Sequence, residues 1–329
     1  MHRWTAAILV PLAVSAYASE PVPTYVLHFG RYGPSPGMML APFGVCTDGV
    51  GFVYVAELGG DRIQKWTTTG AYVTRWGAAG PEPGFLDQPT DVVVDTLGNI
   101  WVSDRANHRL QCFSLEGTFL ATSGGFGSAP GQFASPSGLA IRDGFLFVAD
   151  TYNYRVQKLA IRGTALDPVL QFGSYGLEPG QFVEVQDVGL DSEGRVYATD
   201  ARSNCVQVFA PDGSFLARFD EKGPGERLAY PFGISLDAHD NIYVSEPYER
   251  SVTKFGKDRK WILTWGSSSS VKVERLHRPL RLWIDAAGLL YVADYDDTNH
   301  ADRVVVWRPS DAPTAAGDQS WGDLKRAFR

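Results

Sequence analysis

From Pro89 to Gly124 the chain alternates apolar runs with short polar breaks: PTDVVVDTLGNIWVSDRANHRLQCFSLEGTFLATSG. The runs cover Asp91 to Asp95, Ile100 to Ser103, Leu110 to Ser114 and Thr118 to Thr122. The breaks fall at Gly98-Asn99, over Asp104 to Arg109, and at Glu116-Gly117. This spacing predicts four short strands joined by tight turns. The first two strands are apolar at nearly every position, which suits a sheet covered on both faces.

The unit recurs along the chain. Strand-opening prolines stand at Pro42, Pro89, Pro136, Pro231 and Pro279, with Val185 in the remaining place, a period of roughly 47 residues that falls in the range of propeller blades. The second strand repeats as GFVYVAE, NIWVSD, FLFVAD, RVYATD, NIYVSE and LLYVAD; the fourth repeats as AYVTRWG, TFLATSGG, PVLQFG, SFLARFD and WILTWG. A sixth fourth-strand copy, YVLHFG at Tyr25 to Gly30, precedes the first opening proline, whereas the last unit ends after its third strand (Val304 to Trp307). The predicted fold is therefore all-β: six four-stranded antiparallel blades in a propeller. The N-terminal strand completes the last blade and closes the ring, which removes exposed sheet edges.

The segments LGNIWVSDRANHRLQCF and GFLFVADTYNYRVQKL, preceded by linkers such as GAAGPEPGFLDQP and SAPGQFASP, resemble the NHL repeat family of six-bladed β-propellers. The resemblance runs from about Tyr25 to Pro309 and is closest in blades one to three. It implies the fold more strongly than any function, because one fold hosts many unrelated sites.

The first residues, MHRWTAAILVPLAVSAYASE, combine a basic start, an apolar run from Ala6 to Val14, and small residues at Ala16 and Ala18. Residues 1–18 are expected to be a secretory signal, 19–309 the propeller and 310–329 a polar tail, with the protein secreted or periplasmic. The run is short and broken by Pro11, which argues against a membrane span. The chain carries 35 Gly, 20 Pro and a formal charge of −7. Loss of Arg3 with the signal leaves 29 basic against 37 acidic residues, a formal −8. That field opposes general affinity for nucleic acid.

Cys46, Cys112 and Cys205 all fall in predicted strands and read as buried free thiols. There is no CxxC, HExxH, GxSxG or Walker-type loop, so neither a zinc cross-brace of the ubiquitin-ligase type nor a conventional hydrolase site is encoded in the sequence. The hairpin between second and third strands repeats its polar residues: Asp104, Asn107, Arg109 and Gln111 in blade two, Asp150, Asn153, Arg155 and Gln157 in blade three, and Glu57, Arg62 and Gln64 in blade one. A device present in several blades reads as a structural staple, since a ligand site is normally used once.

Departures from the repeat are better candidates for function, and four map to the face formed by these hairpins and the inter-blade linkers. The second residue after each opening position is Gly44, Gly138 and Gly233 in alternate blades, and Asp91, Asp187 and Arg281 in the others. These three charged residues would meet at the channel mouth. There they form either a salt-bridged plug or a site for a small polar ligand, with Arg281 holding an acidic group. The blade-six hairpin DYDDTNHADR is oxygen-rich; Asp296, Asp297 and Asn299 could hold calcium, although the loop lacks the glycine and terminal glutamate of an EF-hand. The linker into that blade gathers Lys272, Arg275, His277 and Arg278, which could engage a partner or neutralise the acidic loop. Blade five puts Glu249 and Ser251 at the staple positions and presents Tyr248 and Arg250, residue types enriched in interface anchors. The expected partner surface is thus Tyr248, Arg250, Lys272, Arg275 and His277.

These features favour a recognition scaffold for a protein or a small polar ligand, with no cofactor. The alternative is a metal-dependent lyase or lactonase with zinc or calcium at the channel mouth. QPTDVVVD resembles a blade of the peptidyl-hydroxyglycine lyases, a likeness that implies zinc-binding histidines beside the inner-strand openings. The residues there are Phe43, Thr90, Ser137, Gln186, Phe232 and Leu280, with no histidine among them.

Overall fold

A computed structural model of the chain describes residues 20–267, 275–296 and 302–310. The expected signal, all but the first residue of the tail, and Lys272, Asp297, Asn299 and His300 lie outside the described residues. After β1 (Thr24–Phe29), blade one is laid down as β2 (Pro42–Thr47), β3 (Phe52–Glu57), β4 (Arg62–Thr67) and β5 (Tyr72–Trp76). Blade two is β6 (Pro89–Val94), β7 (Ile100–Asp104), β8 (Arg109–Phe113) and β9 (Phe119–Gly124). Blade three is β10 (Pro136–Arg142), β11 (Phe145–Asp150), β12 (Arg155–Arg162) and β13 (Ala165–Phe172). Blade four follows as β14 (Val185–Leu190), β15 (Val196–Asp200), β16 (Cys205–Phe209) and β17 (Phe215–Phe219), and blade five as β18 (Ile234–Leu236), β19 (Ile242–Glu246), β20 (Ser251–Phe255) and β21 (Trp261–Trp265). Blade six holds β22 (Pro279–Ile284), β23 (Leu290–Asp294) and β24 (Arg303–Arg308), and β1 pairs antiparallel with β24 as its fourth strand. Among the described residues no helix is long and apolar enough to cross a membrane.

Burial explains the strand composition. Every residue of β7 and β8 is buried, whereas β9 alternates half-buried with exposed positions. Inner strands are covered by neighbouring blades on both faces, and the outer strand has one wet face. The core accordingly lies in the seams between blades: Tyr54, Ile63 and Leu86 pack against Val92, Ile100 and Phe113 between blades one and two. Phe29, Val45 and Trp66 meet Tyr291, Val304 and Val306 at the closing seam. Blade five departs from the sequence expectation, because its inner strand starts at Ile234 and not at Pro231. The Ser245 side chain takes the Gly233 N–H (2.8 Å) and donates its own hydroxyl to Leu280 O (2.5 Å), while Phe232 N and Gly233 O keep backbone bonds to Ser245.

The staple fastens each linker to the hairpin of its own blade. In blade two the Asp104 carboxylate accepts from Asp87 N (2.7 Å), Asn107 Nδ2 (2.9 Å), Arg109 Nε (2.7 Å) and Gln111 Nε2 (3.0 Å). Arg109 then donates to the carbonyls of Pro81, Glu82 and Phe85. Burial pushes the carboxyls of Glu57, Asp104 and Asp150 upward, while their amide and guanidinium donors pull against that rise. Blade five rebuilds the device with other parts. Lys222 reaches in from the linker to Glu246 (2.7 Å), and Thr253 donates to the same carboxylate (2.8 Å). A second device, unforeseen from the sequence, stands at the turn between first and second strands. Asp95 accepts from Leu97 N, Asn99 N and Trp101 Nε1 (each 2.9 Å), and Asp191, Asp237 and Asp285 do the same with a tyrosine hydroxyl in place of the indole. The three cysteines are free and buried, and burial drives the thiols of Cys112 and Cys205 up to about 12.

Candidate functional site

Asp91, Asp187 and Arg281 open the inner strands of blades two, four and six, and the ring brings all three together. Alternation with glycine is a steric requirement. A Cβ on Gly44 would come within 2.6 Å of Asp91 Cα, one on Gly138 within 2.6 Å of Asp187 Cα, and one on Gly233 within 2.8 Å of Arg281 Cα. Each charged residue thus fits only because the preceding blade has no side chain at that place. Arg281 is 1% exposed; its Nη1 lies 2.5 Å from Asp187 Oδ1 and its Nε 3.6 Å from Asp91 Oδ2. The guanidinium also donates to Thr90 O (3.0 Å), Ser137 Oγ (2.7 Å) and Gln186 O (2.9 Å). The carboxylates have second duties: Asp91 Oδ2 accepts from Leu139 N (2.8 Å) and Asp187 Oδ2 from Ile234 N (2.9 Å), so each latches the next blade. Two carboxylates share one cation in a buried site. Burial, and then the Asp187 charge, outweigh the pull of Arg281 and raise the Asp91 carboxyl to about 7, and burial raises Asp187 too. The arrangement has the chemistry of a plug that closes the channel.

The plug divides the axial space. On one side lies a cavity of about 180 Å³ walled by Val93, Leu139, Ile141, Leu190 and Trp283. On the hairpin-and-linker side lies an open bowl of about 240 Å³. Its floor is Phe43 and Phe232, whose rings meet edge to face at 5.3 Å and both stand 5.8 Å from the Arg281 guanidinium. One wall is aromatic: Tyr248, 62% exposed, meets Tyr230 at 5.0 Å, and Arg278 lies 5.4 Å from the Tyr248 ring and 5.8 Å from that of Tyr295. Glu184 and Arg105 line the bowl from blades four and two. Glu184 accepts from the Tyr230 hydroxyl (3.2 Å) and Gln186 Nε2 (2.7 Å) and pairs with Arg202 (2.6 Å). Burial first, and then Glu184, push the Tyr230 phenol up to about 12, so it stays a donor at neutral pH.

The sequence reading missed this rim, although a signal was present. The residue directly after the staple carboxylate points at the mouth, and Leu58, Arg105, Pro247 and Tyr295 all occupy that place. They differ from blade to blade while the carboxylate before them does not.

The expected partner residues separate. Tyr248 is part of the bowl wall. Arg250 is exposed beside it, on a hairpin residue with φ +56°. His277 turns inward, with Nδ1 3.4 Å from Asp294 and Nε2 3.6 Å from Asp296, and the Arg275 carbonyl accepts from Arg303. This part of the linker therefore satisfies its own acidic neighbours. In the expected calcium loop, Asp296 is buried and its N–H donates to Asp302 Oδ1 (3.1 Å). Among the described residues no three His, Cys, Asp or Glu side chains are grouped as metal ligands.

Comparison with known proteins places the fold. The NHL repeat model matches residues 86–113 and 133–159. Over 53 residues the chain is 34% identical to human (Homo sapiens) tripartite motif-containing protein 2, and over 47 residues it is 40% identical to mouse (Mus musculus) tripartite motif-containing protein 3. These stretches cover 16% and 14% of this chain, and only 7% and 6% of the length of those relatives. Among solved structures, a streptogramin B lyase superposes with a TM-score of 0.60 at 13% identity, covering 86% of this chain and 97% of that one. A protein of unknown function from Bacteroides thetaiotaomicron gives 0.66 at 14%, covering 87% and 76%. A chain of a nidogen/laminin complex gives 0.57 at 16%, covering 79% and 97%. At these identities the likeness is one of fold.

Proposed function

We propose that this six-bladed propeller, built on NHL repeats, is a recognition scaffold that takes a protein or a small polar ligand in the aromatic bowl above its closed channel. The bowl itself carries the reading: five aromatic rings and two arginines stand around an open cavity of about 240 Å³ on a rigid ring. Tyrosine offers large amphipathic contact area at low entropy cost, and Tyr and Arg dominate interface hot spots. The nidogen/laminin neighbour supports partner binding by analogy, and the lyase neighbour supports a catalytic alternative on the same terms. Export to the periplasm or outside the cell fits the leader-like pattern of residues 1–18. N-terminal sequencing of the mature protein should begin at Ser19.

The test is a screen of peptides and small polar compounds against protein carrying 13C-labelled tyrosine, read by ring-signal shifts. Shifts concentrated on Tyr230, Tyr248 and Tyr295 are expected. Shifts that cluster elsewhere would sink the bowl reading. Turnover of a streptogramin B or of a lactone, lost on chelation, would establish the enzyme reading instead.

A further inference from the structure

We infer that the occupant of the bowl is an acidic peptide segment, with one carboxylate held by Arg105 and an adjacent apolar side chain against the Tyr230–Tyr248 wall. The inference rests on the recognition reading above and adds the chemistry of the partner.

The charges of the bowl decide the sign. Glu184 is spent on Arg202, Tyr230 and Gln186. Arg278 is stacked between two tyrosine rings. Arg105 stands apart: it lines the bowl, is half-buried, and among the described residues its guanidinium has no hydrogen bond and no ion pair. Its neighbour Asp104 cannot serve it, since that carboxylate is filled by Asp87 N, Asn107, Arg109 and Gln111. The arginines of the staples and the plug are all paired, so an unpaired guanidinium in a lined cavity points to an anion from outside.

The layout sets the rest. Arg105 comes from blade two, and the tyrosine wall from blades five and six across the mouth. A ligand must therefore offer an anionic group and an apolar body on opposite sides. A cavity of about 240 Å³ suits one large side chain, the size of an interface anchor. Stacked rings beside an arginine also suit single-stranded RNA. Phosphate binding needs several uncommitted cations, however, and the chain carries a formal charge of −7.

The experiment is selection of a random heptapeptide phage library on the immobilised full chain, followed by synthesis of the selected peptides with capped ends. The expected sequences carry Asp or Glu beside an aromatic or large aliphatic residue. Arg105→Gln should weaken their binding roughly 10-fold, the scale of one charge-assisted hydrogen bond. Exchanging the peptide acid for its amide should cost the wild type as much and cost Arg105→Gln nothing further. Tyr248→Ala should weaken acid and amide peptides alike. If Tyr248→Ala weakens binding but neither Arg105→Gln nor the amide does, the acidic class is overturned and the bowl stands. If no peptide is selected, or none responds to either substitution, the acidic-peptide class is overturned, and the bowl stands or falls by the tyrosine-ring shifts. Arg105-dependent binding of a 12-residue oligouridylate, tighter than that of the selected peptides at equal salt, would overturn the peptide class in favour of RNA.

Discussion

Blades three and five hold their linkers by the same principle and with different parts. In blade three the cation belongs to the hairpin. Arg155 pairs with Asp150 (2.8 Å) and donates to the carbonyls of Ser128, Ala129 and Gln132. In blade five that place is Ser251, the carboxylate is Glu246, and the cation arrives from the linker as Lys222 (2.7 Å). What must be kept is a buried carboxylate with a cation on it; which segment supplies the cation is free to change. Tyr248 and its blade-three counterpart Tyr152 are both exposed, at 62% and 56%, yet only Tyr248 stands over the mouth.

The sharpest way to break this equivalence is to remove each cation. Arg155→Leu takes the cation from Asp150 and the donor from three linker carbonyls, and should cost about 3–5 kcal/mol in denaturant unfolding, the usual penalty for breaking a buried ion pair. Lys222→Met should cost less: both carboxylates keep neutral donors, but losing Arg155 also frees the carbonyls of Ser128, Ala129 and Gln132. Adding Ser251→Arg to Lys222→Met should return at least half the loss; no recovery would show that the two staples are not interchangeable. The next effect is one the two blades share. Gly138→Ala and Gly233→Ala each drive a Cβ into the plug and should cost about 1–3 kcal/mol by the same unfolding measurement. A neutral result at either position would remove the steric account of the alternation.

A smaller effect is pH-dependent. Blades three and five are latched by Asp91 and Asp187 through Leu139 N and Ile234 N. Both carboxyls are raised in the folded state, Asp91 to about 7. A folded pKa above the unfolded value means that the native state binds more protons between the two. This contribution therefore lowers stability as pH rises from about 4 to about 7. Asp91→Asn should flatten the fall in melting temperature between pH 5 and 8; a profile parallel to the wild type would reject the assignment. The smallest stability effects belong to Tyr248→Ala and Tyr152→Ala, each within about 0.5 kcal/mol. Only the first should abolish the shifts that ligands cause at the Tyr230 ring.

The fold was legible because each blade repeats the same burial pattern, and even the displaced strand at Tyr25 was visible as a copy without a unit. The meeting of Asp91, Asp187 and Arg281 followed from counting residues after the opening prolines. Hidden were relations between segments that no local pattern joins: Lys222 entering a staple 24 residues ahead, the glycine of one blade making room for the charge of the next, and Arg105 left idle because Asp104 is filled by others. Each depends on which blade stands beside which, and at what distance.

The β1–β24 pairing also has a consequence in time. Strand β1 finds its partner only after some 280 further residues have followed, as Thr24 faces Arg308 and Phe29 faces Val304. Strand pairing within the other five blades is between consecutive strands, so those blades can assemble in sequence while β1 waits unpaired. Completion of the ring is then a single late closure across nearly the whole chain, and such long-range pairing is the slow kind. A chain stopped short of β24 would keep both ends open, with bare strand edges free to join another molecule.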